Sequence, residues 1–166
     1  MEDIFLNPKL KDYYMEDFNN LLMMEEGFWA LDNGFLKEKL IEINSNPNIQ
    51  TLYSKYGIQG PDDSESYIEL AFTQNIELKI FRSILPNLIA KYSSITTNLS
   101  NCYYRYSTPR DNGNFSIRDK RGIGCLDNKD YFRINTIKIH LEAYNIKTKN
   151  EFWQDLALAL SELKAE

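Results

Sequence analysis

The spacing of apolar residues changes along this chain, and that change constrains the fold more than any other feature. In the first hundred residues the apolar positions recur three and four apart. Leu10, Tyr14, Phe18, Leu21 and Leu22 form one such series, and Phe35, Leu36, Leu40 and Ile43 a second. Ile49, Leu52, Tyr53 and Tyr56 form a third, and Ile68, Phe72, Ile76, Ile80 and Ile84 a fourth. Residues three and four apart share one face of an α-helix. Later the period becomes two: Ile137, Ile139 and Leu141 alternate with Lys138, His140 and Glu142, the pattern of a half-buried strand. The helical period then returns in Phe152, Leu156, Leu160 and Leu163, behind a Thr148-Lys149-Asn150-Glu151 capping box. The order of these patterns predicts an α+β fold. It is mostly helical over the first two-thirds, with a small antiparallel sheet in the last third and a closing C-terminal helix over about 149–163. One globular domain is expected to span residues 1–166.

Local signals place the boundaries. Asn7-Pro8 supplies a cap and a first-turn proline, and Gly27 a stop. Asp32-Asn33-Gly34 marks a turn, and Gln59 to Asp63 a loop. Residues 64–82 fit two patterns. With period two, Ile68, Leu70 and Phe72 would line one strand and Ile76, Leu78 and Ile80 another. The apolar pattern continues past residue 82, which favours a helix that Pro86 kinks or splits. Tyr103 to Tyr106 has strand composition, and residues 109–114 form a loop or hairpin turn. Phe132 and Ile134 are out of phase with Ile137, predicting a bulge near Asn135.

Composition narrows the class. With 43% hydrophobic and 13% aromatic residues, the 166-residue chain has material for a packed core and does not resemble a disordered one. No apolar run approaches the roughly 20 residues needed to span a bilayer. The acidic start, Met1-Glu2-Asp3, is unlike a secretory signal, so a cytoplasmic location is expected and no membrane partner. Cys102 and Cys125 are then expected as free thiols.

Candidate chemistry is sparse. One histidine and two cysteines, with no CxxC or HExxH spacing, predict no soft-ligand metal centre, and no cofactor fingerprint is present. Cys125 follows Gly122-Ile123-Gly124, where a thiol could act as nucleophile with His140 as base. A buried thiol and a solvated histidine are the simpler assignments.

Pro61-Asp62, followed after fourteen residues by Glu77-Leu78-Lys79, resembles the PD…(D/E)xK signature of restriction-endonuclease-like nucleases. The resemblance covers about twenty residues. It implies that Asp62 and Glu77 hold a divalent metal while Lys79 assists the attacking water. Glu77 and Lys79 share a face only if they lie in a strand.

Two further features point to binding. Tyr103, Tyr104, Arg105, Tyr106, Arg110, Phe115, Arg118, Lys120 and Arg121 interleave π faces with cations. Such groups dominate protein–protein hot spots and also bind single-stranded nucleic acid. Charge is unevenly placed: the first 26 residues hold seven acids and two bases, whereas residues 101–147 hold nine bases and five acids. Asp12, Glu16 and Asp17 would decorate the first helix and suit a basic partner, such as a nucleic-acid-handling enzyme. The sequence is therefore read as a small non-catalytic protein-binding factor of inhibitor, immunity or accessory type, working without cofactor. The alternatives are the metal-dependent nuclease and an RNA-associated protein using residues 103–121.

The closing helix gives the first test. Leu156→Ala should cost about 2–5 kcal/mol in chemical denaturation, the range for truncating a core leucine. A loss near zero would remove the assignment.

Overall fold

In the computed structural model, residues 3–23, 34–57, 65–92, 95–97, 104–107, 114–126, 130–142 and 146–164 are described. The elements are β1 (Asp3–Ile4), α1 (Pro8–Leu22), α2 (Phe35–Asn44), β2 (Ile49–Lys55) and β3 (Glu65–Phe72). There follow α3 (Glu77–Lys79), α4 (Leu85–Tyr92), β4 (Ile95–Thr97), β5 (Tyr104–Ser107), β6 (Asn114–Leu126), β7 (Asp130–Glu142) and α5 (Ile146–Ser161). The α+β class and the closing helix are as expected. The sheet is larger and starts earlier: seven strands, ordered β2-β3-β7-β6-β5-β4, with β1 pairing in parallel alongside β7. The expected stop at Gly27 and the loop at 59–63 lie outside the described residues, as do Asp32, Asn33 and the expected turn at 109–114 up to Gly113, while its last residue, Asn114, begins β6. Gly34 has φ +77°, a left-handed conformation that suits glycine, and leads into α2.

Helix α1 begins where its cap dictates, with Asn7 Oδ1 accepting from the Leu10 amide at 2.9 Å and Pro8 in the first turn. Two segments expected as helix are strands instead. In β2, a register shift between Thr51 and Tyr53 against β3 breaks the period of two, so Ile49, Leu52 and Tyr53 imitate helical spacing. From Ile68 to Phe72 of β3 both faces are buried, so alternation is hidden: Ile68, Glu69, Leu70, Ala71 and Phe72 are all buried, whereas Tyr67 is half-buried. The ridge Ile68, Phe72, Ile76, Ile80, Ile84 crosses from strand to helix without a break, because a spacing of four keeps one face in both. A 3₁₀ turn at Gln74–Ile76 starts the helical run, and a π turn at Ile80–Ile84 joins α3 to α4. There the Leu85 amide donates to the Ile80 carbonyl. Pro86 follows, which has no N–H to continue the ladder, so it is met by a wider turn.

Helices α2, α4 and α5 cover one face of the sheet, joined by Ile76 and Ile80 of the turns before α4 and by Phe18 of α1. Ile68, Leu70 and Phe72 of β3 and Ile137, Ile139 and Leu141 of β7 pack there with Leu40, Ile43, Ile80, Leu88, Phe152, Trp153 and Leu156. On the other face a smaller cluster joins Leu6 and Leu10 to Ala71 and Ile134. That cluster explains Ile134. Strand β7 keeps an unbroken register with β6 from Asp130 to Glu142, so no bulge forms near Asn135; the apolar residues instead change face. Helix α5 starts at Ile146, earlier than the capping box predicts, and Thr148 lies buried within it.

The turn after α2 ties the layers together. Asn46 Nδ2 donates to the Leu160 and Leu163 carbonyls at 2.8 and 2.7 Å, satisfying acceptors at the end of α5. Asn44 exchanges two hydrogen bonds with Thr51 of β2, and Thr73, beyond β3, donates to Asn48 Oδ1. Lys11 of α1 closes the same end, its Nζ donating to the Asn44 carbonyl at 2.9 Å and to the Ile49 carbonyl.

Burial lowers the Lys11 ammonium to about 8 from the ordinary 10.5. Between those values the unfolded chain holds a proton that the folded chain has released. Stability on this account therefore rises as pH increases from about 8 to 10.5. The neutral amine still carries two N–H donors for the two carbonyls. The stability difference between the native chain and Lys11→Met, followed by urea denaturation across this window, should grow with pH. A flat or falling difference would show that the amine stays charged.

Candidate binding surface

Strand residues two apart share a face, so packing Ile68, Leu70 and Phe72 under the helices sends Tyr67, Glu69 and Ala71 to the other side. The register extends this phase across the sheet. Lys55 of β2, Tyr67 of β3, His140 of β7, Ser116 of β6 and Arg105 of β5 are successive partners in one row. The next row runs Tyr53, Glu69, Lys138 and Arg118, and beyond it Lys120 stands opposite Thr136. Positions of one sign are thus brought together from four strands. The row on the other side, Glu65 opposite Glu142, bounds the basic patch with acids.

Lys55, Tyr67, Lys138 and His140 are half-buried, and Tyr53 is 65% exposed. The Lys138 ammonium lies 4.2 Å from the Tyr67 ring centre, a cation–π pair within the patch. Beneath it Glu69 is buried, accepting a 3.2 Å hydrogen bond from the Thr136 hydroxyl, itself buried. Aromatic surface continues onto α1. Tyr13 and Tyr14 meet edge to face at 5.3 Å. Burial pushes the Tyr14 hydroxyl up to about 12, with Tyr13, Tyr53 and Asp17 adding to it in turn.

The residues singled out in the sequence divide. Arg105, Arg118 and Lys120 fall on the phase of the open face. Tyr104, Tyr106 and Arg121 stand opposite Ile117, Phe115 and Asn135, on the helix-packed phase. Tyr103 and Arg110 lie outside the described residues. Asp12, Glu16 and Asp17 are exposed on α1, an acidic surface that adjoins the aromatic edge of the patch, since Asp17 and Tyr53 both act on Tyr14. Lys55 and Tyr67 were not legible as site residues, because their strands imitate helix. Lys138 was visible as the polar phase of β7, but only the register gives it cationic neighbours.

Two catalytic arrangements considered from the sequence do not form. Cys125 stands opposite Tyr131 in β7, nine positions from His140 along the same strand, a separation of roughly 30 Å. Glu77 and Lys79 occupy the helical turn α3, where two positions differ by about 200° around the axis, and Lys79 Nζ donates to the Lys164 carbonyl at 2.6 Å. The strand face that the nuclease pattern needs is absent at these residues, and Asp62 lies outside those described. Among the described residues, no cluster of three His, Cys, Asp or Glu is placed to hold a metal ion, and no helix is long and apolar enough to cross a membrane.

One hollow of about 150 Å³ lies between α4 and α5, lined by Ile84, Asn87, Leu88, Lys91, Asp155 and Ala159. Its charged groups are already engaged: Lys91 contacts Asp155 at 2.8 Å and Glu151 at 3.1 Å, and the Tyr92 hydroxyl donates to Asp155 at 2.5 Å. The Asp155 hydrogen bond raises the Lys91 ammonium further. This is a helix–helix clamp. Comparison with protein-family models, with curated proteins and with solved structures finds no match.

The patch floor is testable. Thr136→Val keeps the side-chain shape but removes the donor to Glu69. It should destabilise the fold by about 0.5–1.5 kcal/mol in chemical denaturation, since a buried acceptor loses one hydrogen bond. An unchanged midpoint would mean that Glu69 does not need the Thr136 hydroxyl.

Proposed function

We propose that the protein is a small non-catalytic binding factor, of the inhibitor, immunity or accessory type, that engages another macromolecule through the open face of its sheet. The observation that carries this reading is the pair of rows Lys55–Tyr67–His140–Ser116–Arg105 and Tyr53–Glu69–Lys138–Arg118, which converge from strands far apart in sequence. Helices α2, α4 and α5 gather on the opposite face, α1 meets this one at Ala71 and Ile134 through Leu10, and Lys55, Tyr53, Tyr67, Lys138 and His140 lie outside the main core. Fixed cations beside phenol rings hold a ligand, and their sign selects an acidic one. The acidic surface of α1 has the opposite preference and serves as an internal control.

Paired affinity capture from the native host tests the proposal. Bait carrying Lys55→Glu with Lys138→Glu should lose at least tenfold of the material retained by the native chain. Bait carrying Asp12→Lys with Glu16→Lys should keep it. Both variants change exposed or half-exposed charges, and circular dichroism checks that they fold. Full retention by the Lys55→Glu, Lys138→Glu bait would move the binding surface elsewhere, and loss confined to the α1 variant would assign it to the acidic helix.

A further inference from the structure

We infer that the ligand of the open sheet face is a single-stranded nucleic acid, laid across the strands from β2 towards β5. This rests on the face being the binding surface proposed above, and it specifies the chemistry of the partner. Three observations carry it.

The first is the chemical pairing at the centre of the patch. Lys138 lies 4.2 Å from the Tyr67 ring centre, and Tyr53 stands in the same row as Lys138 with 65% of its surface exposed. A nucleotide presents the complements of these groups, a flat base for a phenol ring and a phosphate for an ammonium. An acidic peptide supplies the charge but has no repeating π surface to match the tyrosines.

The second is geometry. Neighbouring strands are about 4.8 Å apart, so the row from Lys55 through Tyr67, His140 and Ser116 to Arg105 spans about 19 Å, or four such intervals. That length accommodates a short run of nucleotides, with cationic positions at both ends of the row and with Lys138, Arg118 and Lys120 alongside. A base reaches a ring on the sheet only if it is unstacked, which selects a single strand over a duplex.

The third is the distribution of charge. The chain carries a net charge of −5, yet the central rows contain Lys55, Arg105, Arg118, Lys138 and the nearby Lys120 against the single buried acid Glu69. The exposed acids Asp12, Glu16 and Asp17 lie on α1, and Glu65 and Glu142 flank the patch. A polyanion is therefore confined to a bounded track and repelled from the surfaces around it. The strand phase that places Arg105, Arg118 and Lys120 on this track excludes Arg121, so the basic segment acts through part of its charge only.

Fluorescence anisotropy with labelled twelve-nucleotide oligouridylate, oligothymidylate and a duplex of the same length tests the inference on the full chain. Both single strands should bind better than the duplex. With three to five phosphate contacts, the logarithm of the association constant should fall with the logarithm of salt concentration at a slope of about −2 to −3.5, at about −0.7 per contact. Lys138→Gln and Arg118→Ala should each make that slope shallower, and Tyr67→Leu should weaken binding by about five- to a hundredfold at unchanged slope. If Tyr67→Leu fails to fold, Tyr53→Ala at the exposed position gives the same readout. Equal or tighter duplex binding, or no salt-sensitive binding to either single strand, would overturn the nucleic-acid assignment. A protein captured by the native chain and released by Lys55→Glu with Lys138→Glu would overturn it too, while leaving the open face as the binding surface. Loss of both nucleic-acid binding and that capture difference would remove the surface itself.

Discussion

The register of β3 against β7, and of β7 against β6, is the constraint from which the outward surface follows. Ile68, Leu70, Ile137, Ile139 and Leu141 are essentially fully buried under the helices. Each is worth about 1.5–3 kcal/mol for being buried rather than exposed. A one-residue slip would turn this set to solvent and drive Tyr67, Lys138 and His140 into the core. The helix-covered face therefore specifies the open one. Lys138 stands between Glu69 and Arg118 because Ile137 and Ile139 must point the other way.

The strand pairing also shows why an acidic chain can present a basic face. Charges scattered through residues 55, 105, 118, 120 and 138 have no common meaning in the sequence, where Asp111 and Asp119 intervene. Pairing resolves them by parity. Asp119 stands opposite Ile137, on the helix-packed phase, whereas Arg118 and Lys120 on either side of it take the open phase. Net charge describes solubility and long-range steering; the sign of a surface depends on which alternate positions the sheet turns outward.

The same parity decides what was legible beforehand. Helices α1, α2 and α5 were readable because each has an apolar stripe against a polar remainder, and Asn7-Pro8 gives α1 a local start signal. The strand over Ile137–Leu141 was readable for the corresponding reason. Strand β3 was not, because burial of Glu69 and Ala71 on its second face erases the alternation, and because Ile76 and Ile80 continue its spacing into a helix. In β2 the shift at Thr51 and Tyr53 removes the period altogether. The patch was half legible. Arg105, Arg118 and Lys120 were identified as cations of one segment, but Lys55 and Tyr67 join them only through strand pairings such as Tyr67 with His140, 73 residues apart in sequence.

Such distant pairings cost loop-closure entropy, so the patch needs anchors elsewhere. The turn after α2 supplies them at one edge of the sheet. Asn46 holds the end of α5, Asn44 holds β2, Asn48 holds Thr73 beyond β3, and Lys11 closes α1 onto the Asn44 and Ile49 carbonyls. Side chains that lock helices to strands through backbone acceptors fix where the strands lie, not merely whether they form. A binding surface assembled from rows across strands needs that kind of support, because its rings and cations keep their spacing only while the strands keep theirs. The asparagines lie away from the patch and offer it no charge. Their contribution is to hold β2 and β3 in place, and with them the positions of Lys55 and Tyr67.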